Sequence, residues 1–193
     1  MKSWKAGLWC CVMICFIAAG LAAVEQGEEK TAAESVPEGP AGPPPEIKDI
    51  GDIVGTWLYR GQWRMDPTTE KWVDHEARVT FGYVCGGAAI EMIYQGDLMG
   101  MEMHGLSLIT YHREKEEWVE TWVDNFTGIM SIYTGQHKDG KRVMTGKDIY
   151  YGETMYTRVT SYDITDDSFK WVMENSTDGE NWYVSMKGDY TRQ

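Results

Sequence analysis

The sequence predicts an all-β domain, an antiparallel up-and-down β-barrel of about 8–10 strands, and three observations predict it. From Ile53 to the C-terminus, short runs rich in Val, Ile, Thr, Trp and Tyr recur without a sustained helical period. Asp-Gly pairs punctuate them, in "KDGK" at 138–141 and "TDGE" at 177–180, where glycine takes the positive φ of a tight hairpin turn without strain, so neighbouring strands run antiparallel. A meander of that many strands in one small domain also leaves two exposed edges unless it closes on itself.

Ahead of the domain, Lys2 and Lys5 precede an uncharged run over 6–24 that ends in "AAGLAA". This is the layout of a secretory signal peptide, assigned to residues 1–23 with cleavage after Ala22 or Ala23. Left uncut, a run of roughly 18 or more apolar residues would anchor the chain in a bilayer. The chain is therefore expected to be exported, either periplasmic or secreted. Residues 24–46, "VEQGEEKTAAESVPEGPAGPPPE", are acidic and rich in Pro and Gly, with almost no bulky apolar side chains. Such a segment cannot offset its ordering entropy by burial and is read as a disordered linker.

Residues 47–193 carry the barrel. The opening strand lies in "DIVGTWLYRGQW", followed by "RVTFGYV", "AAIEMIYQG", "HGLSLITYH", "EWVETWVDNF", "IMSIYTGQH", "KRVMTGKDIY", "TMYTRVTSYD", "SFKWVMENS" and "NWYVSMKGDYTR". In the last of these, alternation puts Trp182, Val184, Met186, Tyr190 and Arg192 on one face and Tyr183, Ser185, Lys187 and Asp189 on the other, one face dry and one wet.

Of four cysteines, Cys10, Cys11 and Cys15 leave with the leader, so Cys85 stands alone and no intrachain disulfide holds the domain. With no activating cation near it in sequence, Cys85 is read as a small buried filler. The formal net charge is −12, and more negative once Lys2 and Lys5 are removed. A surface of that sign repels nucleic acid and anionic lipid, so neither is expected as a partner.

"GTW" at Gly55–Trp57 resembles the Gly-x-Trp that opens the first strand of lipocalins. The resemblance implies that Trp57 plugs the closed end of a lipocalin/calycin-like barrel and that Arg192 on the last strand stacks over its indole. A second resemblance spans nearly the whole domain, through "YQGDLMGMEMHGLSLITY", "WVETWVDNF", "YTGQHKDGK", "YTRVTSYDITDD" and "DGENWYVSMKGDYTRQ". On these the chain resembles the bacterial domain-of-unknown-function family 1579, whose pattern falls here at Met99–Met101, Tyr111, Trp122 with Asp124, Tyr133 with Gly135, Tyr156–Arg158 and Tyr190–Arg192. The chain departs from the family's usual Gly-Tyr-Asp, reading Thr110, Tyr111, His112. The resemblance implies the barrel and no activity.

The four histidines, 75, 104, 112 and 137, share no metal-ligand spacing, and no Gly-x-Ser-x-Gly elbow or phosphate cradle occurs, so no catalytic residue, metal or cofactor is assigned. "DITDDS" lacks the ligand spacing of a calcium loop. Trp118, Glu120, Trp122 and Asp124 share one strand face. Glu120 is read there as part of an outward polar face, while Asp124, which the family pattern includes, is expected to pair with Arg158, because an isolated buried carboxylate is too costly. The expected function is an exported binder of a small apolar or amphipathic molecule. Its tail would lie against Tyr94, Met103, Trp122 and Tyr133, and its polar end near His104 or Asp124, with Arg158. The alternatives are an enzyme using carboxylate or His groups in the barrel cavity, and a protein-interaction module of the cell envelope. Oligomeric state is not legible.

Overall fold

The computed structural model describes residues 42–64 and 66–193; the expected signal peptide and all but the end of the expected linker lie outside them. Ten strands follow one another: β1 (Gly55–Trp63), β2 (Val73–Val84), β3 (Ala89–Leu98), β4 (Met101–His112), β5 (Glu117–Asp124), β6 (Ser131–Lys138), β7 (Lys141–Tyr150), β8 (Glu153–Tyr162), β9 (Ser168–Ser176) and β10 (Tyr183–Arg192). Each pairs antiparallel with its neighbours in sequence, and β1 pairs with β10, so the sheet is a closed ten-stranded barrel. Closure leaves no edge to cover.

Three connections are two-residue turns in which both residues have positive φ: Met99–Gly100, Asp139–Gly140 and Tyr151–Gly152. That is the type I′ geometry whose twist matches the strands on either side. Only the Asp-Gly turn announces itself in sequence. At 178–179 the Asp-Gly pair sits in a longer connection, where Asp178 Oδ1 accepts hydrogen bonds from the backbone N–H groups of Glu180 and Asn181, both at 2.8 Å.

Strand alternation aims one row inward, and β2 shows it cleanly, with His75, Ala77, Val79 and Phe81 buried and their neighbours exposed or half-exposed. The last strand does not keep one phase. A β-bulge between Val184 and Met186 lets both Ser185 and Met186 line the interior, so Tyr183 and Ser185 face inward before it and Met186 and Tyr190 after it. The single alternation expected for β10 is thus corrected. The extra residue of a bulge shifts every later side chain to the other face.

A 3₁₀ helix, Pro45–Ile53, precedes β1 and has no counterpart in the sequence reading. Its start lies two residues inside the stretch read as linker. With three residues per turn, Ile47, Ile50 and Ile53 stack in one row, and all three are buried in the barrel's core. The next inward residue is Trp57, 1% exposed, whose Nε1 donates to the Ile53 carbonyl at 2.7 Å and whose ring meets the Phe169 ring edge-on at 5.1 Å. The Arg192 guanidinium lies 4.2 Å from the Trp57 ring centroid. Its Nη1 donates to the Val54 carbonyl at 2.9 Å, and its other nitrogens donate to the carbonyls of Asp52 and Asp166. Helix, indole and guanidinium together close this end of the barrel.

Cys85 is exposed, at φ 52° on the β2–β3 connection, not buried as the sequence reading has it. The connection turns tightly through Gly86 and Gly87 and leaves its first residue on the surface.

Candidate functional site

Odd-numbered strands run away from the closed end, so the connections β1–β2, β3–β4, β5–β6, β7–β8 and β9–β10 surround the opposite end. A cavity of about 540 Å³ fills the barrel and reaches that rim, where Arg64, Phe126, Thr127 and Tyr151 line it. Six methionines, 92, 103, 144, 155, 173 and 186, form much of its wall. Thioethers on unbranched stems conform to irregular ligands. Tyr59, Tyr94, Trp122, Tyr133, Trp171 and Tyr190 supply the aromatic surface.

Glycines make room for the largest of these rings. A Cβ at Gly105 on β4 would sit 2.1 Å from Trp122 Cη2, so the indole lies flat against bare backbone on the next strand. Trp122 is fixed in that pose because its Nε1 donates to Asp124 Oδ2 at 2.8 Å. Asp124 Oδ1 in turn accepts from the backbone N–H groups of Phe126 and Thr127 at 2.9 and 2.8 Å. The carboxylate thus ties the wall to the β5–β6 turn at the mouth.

Asp124 therefore has partners, but Arg158 is not one of them. Arg158 is on the outer face of β8, its Nε 2.7 Å from Glu174 Oε2 and its guanidinium 4.3 Å from the Trp182 ring centroid. The inward residues on either side of it, Thr157 and Val159, line the cavity instead. His104 is also corrected. Its side chain is 50% exposed on the outer face of β4 with Nε2 3.0 Å from Glu102 Oε1, because its neighbours Met103 and Gly105 take the inward positions. Of the residues expected to hold a ligand, Tyr94, Met103, Trp122, Asp124 and Tyr133 line one cavity; His104 and Arg158 do not.

Glu120 is the larger correction. It faces inward with Trp118 and Trp122, and Ser107 Oγ donates to its Oε1 at 3.4 Å. Burial pushes its carboxyl above the ordinary range, opposed by Arg142 and by the Ser107 hydrogen bond. Arg142, second residue of β7, is 6% exposed and lines the same cavity near the closed end. Burial works against its charge, and Glu120 and Asp52 work for it. The two groups form no ion pair with each other among the described residues. Arg142 carries no motif; its only sequence signal is that it shares parity with Met144 and Tyr150 on β7.

Beside the cavity, buried His75 joins β2 to β3. Its Nδ1 lies 2.7 Å from the Asp97 carbonyl, which can only accept, so Nδ1 carries the proton and Nε2 accepts from the Tyr94 hydroxyl. Burial holds His75 below its ordinary value and Tyr94 above its own. Among the described residues no group of three or more His, Cys, Asp or Glu side chains is arranged to hold a metal ion, and no helix is long and apolar enough to cross a membrane.

The model of the family "Protein of unknown function (DUF1579)" matches residues 43–192. Among solved structures, the fold is similar to Rv2717c from M. tuberculosis, at a TM-score of 0.57 and 12% identity, covering 78% of this chain and 99% of that one. It is also similar to the S-type phycobiliprotein lyase CPES from Guillardia theta, at 0.51 and 12%, covering 76% and 91%. At such identity the likeness concerns the fold alone. No curated protein matches the chain by sequence.

Proposed function

The chain belongs to the DUF1579 family of proteins of unknown function, and we propose that its barrel is a container for one small, largely apolar or amphipathic molecule. The carrying observation is the cavity itself: about 540 Å³, closed at one end by the Trp57 plug and walled largely by methionine and aromatic side chains, with charged groups at both its mouth and its depth. That size and lining fall in the range of small-molecule sites, roughly 300–1,000 Å³. The signal-peptide-like pattern over residues 1–23 supports an exported container.

One observation favours a second reading, catalysis: Glu120 is a cavity carboxyl that burial holds toward its neutral form against the pull of Arg142, as a general acid requires. The test purifies the chain under native conditions, identifies retained molecules by mass spectrometry, and titrates its tryptophan fluorescence with alkyl, isoprenoid and aromatic compounds. Saturable binding that weakens in a folded Trp122→Ala variant supports the container. No retained molecule and no saturable binding refutes it. A retained compound that returns chemically changed moves the assignment to the second reading.

A further inference from the structure

The deep end of the cavity holds an incomplete charge arrangement. Arg142 is 6% exposed, lines the cavity, and has no hydrogen-bond partner for its Nε or Nη2 among the described residues. A guanidinium keeps its charge and presents its N–H groups as a rigid planar fork that matches a carboxylate. Buried charges elsewhere are almost always paired, so a cavity-lining guanidinium with two buried, unanswered nitrogens marks a place where a ligand supplies the missing acceptor once the side chain turns toward it. Near it in the same cavity stands Glu120, held by the Ser107 hydroxyl.

We propose, building on the container reading, that the ligand is a monocarboxylic acid with an apolar body, seated head first, its carboxylate on the fork of Arg142 and against the carboxyl of Glu120, the two carboxyls sharing one proton. The charges then balance: one guanidinium, and one negative charge over two carboxyls. Two ionised carboxylates beside a single guanidinium would leave an uncompensated charge in a low-dielectric site, so one proton stays. An alcohol leaves the fork unpaired, and an ammonium meets a like charge.

Two further carboxylates stand outside this balance: Asp52 is exposed, so solvent screens its charge, and half-buried Asp148 on β7 acts on the Tyr133 hydroxyl. Tyr133 on β6 and Tyr190 on β10 stay neutral, their hydroxyls pushed up by burial. Asp52 at the end of the 3₁₀ helix and His137 on β6 bear on Arg142 from the closed end, where burial, followed by Arg142, holds His137 below its ordinary value. At the mouth, Arg64 also lines the cavity, but its guanidinium already donates to the Val184 carbonyl at 2.9 Å and lies 4.9 Å from the Trp72 ring centroid, whereas the Arg142 guanidinium at depth has neither an acceptor nor a ring against it among the described residues. The apolar body then runs past the methionines toward the mouth.

The proton gives the binding a pH signature. Below the pKa of Glu120 the proton is already in place. Above it, binding takes one up, and affinity falls by up to about tenfold per pH unit. The experiment titrates the chain with dodecanoate, dodecanol, dodecylammonium and a naphthalene carboxylate, by tryptophan fluorescence and calorimetry, between about pH 5 and pH 9. Dodecanoate is expected to bind at least about tenfold tighter than dodecanol, one good charge-assisted pair, with the ammonium weakest. The naphthalene compound shows whether an aromatic body replaces an alkyl one.

In Arg142→Met, dodecanoate affinity should fall to the dodecanol level while dodecanol binding is unchanged, which also shows that the variant is folded. In Glu120→Gln, whose amide donates as the protonated acid does, the loss of affinity with rising pH should disappear. Wild-type affinities within about twofold for acid and alcohol, or equal losses for both in Arg142→Met, overturn the headgroup assignment and leave the container standing. Failure of every compound to bind the wild type overturns the container, and this assignment with it.

Discussion

Replacing Trp57 by Ala removes the centre of the closed end. The side chain is 1% exposed, meets Phe169 edge-on at 5.1 Å, and lies under a guanidinium 4.2 Å from its ring centroid. Truncating a fully buried tryptophan costs roughly 3–5 kcal/mol through lost transfer energy and the cavity left behind. The Ile53 carbonyl also loses its indole donor, and the Arg192 guanidinium loses the ring it covers, so the expected loss is at the upper end, about 4–5 kcal/mol. For a domain of this size each kcal/mol moves the melting temperature by about 2–4 °C, so the midpoint should fall by roughly 8–20 °C. Urea denaturation of wild type and variant, with equal m-values required, measures the difference directly. Trp57→Phe narrows the contributions, since it keeps an aromatic body and loses the indole N–H with the smaller part of the ring volume, at about 1–3 kcal/mol. A Trp57→Ala loss below about 1.5 kcal/mol would refute the reasoning, because the end would then be held by the helix and Arg192 without the indole.

Asp124→Ala should cost about 1–3 kcal/mol in urea denaturation, because the Phe126 and Thr127 N–H groups and the Trp122 indole all lose their acceptor, and a changed tryptophan emission should accompany it. His75 has a folded-state pKa below its unfolded value, so its contribution to stability is complete above about pH 6.5 and is lost as the pH falls below it; His75→Gln should flatten that acid limb in a pH series of unfolding curves, leaving the share that belongs to His137. Cys85 should react with a maleimide in the native chain as fast as in the urea-unfolded one, read at its own peptide by mass spectrometry, and protection of more than about tenfold would contradict its exposure. Arg158→Ala should leave ligand affinity unchanged, because its contacts are with Glu174 and Trp182 on the outside, and a loss of binding would show that the outer face takes part.

The barrel was legible because its causes are local. Val, Ile, Thr and aromatic runs, and the Asp-Gly turn at 139–140, announce strands and a hairpin wherever they occur. The 3₁₀ helix was not, since its isoleucines repeat every three residues and match neither the helical nor the strand period. In the site, parity placed Trp118, Glu120, Trp122 and Asp124 together, but parity cannot tell inside from outside when the other face reads Val119, Thr121, Val123. Packing decides it: Trp118 is buried against Tyr111 and Trp122 lies on the cavity wall over Gly105, and they carry both carboxylates in with them. His104 failed for the converse reason, because inward Gly105 yields its space to Trp122 and the histidine beside it must point out. Arg142 was invisible, since a lone basic residue at the start of a strand reads as solvated until its neighbours are known.

The seam between β1 and β10 joins the two ends of the domain, and Arg192 reaches back 138 residues to the Val54 carbonyl. Until the last strand exists the sheet is an open ribbon with unpaired strands on both flanks, and the space inside it is a groove, not a chamber. Contacts of such long sequence separation form late, after the local hairpins, because the loop-closure entropy must be met before they return anything. A guest present at that moment binds only the closed form and so pulls the closing equilibrium forward by mass action. A barrel that holds a guest should then be slower to reopen than an empty one, while the rate at which the seam first closes stays the same.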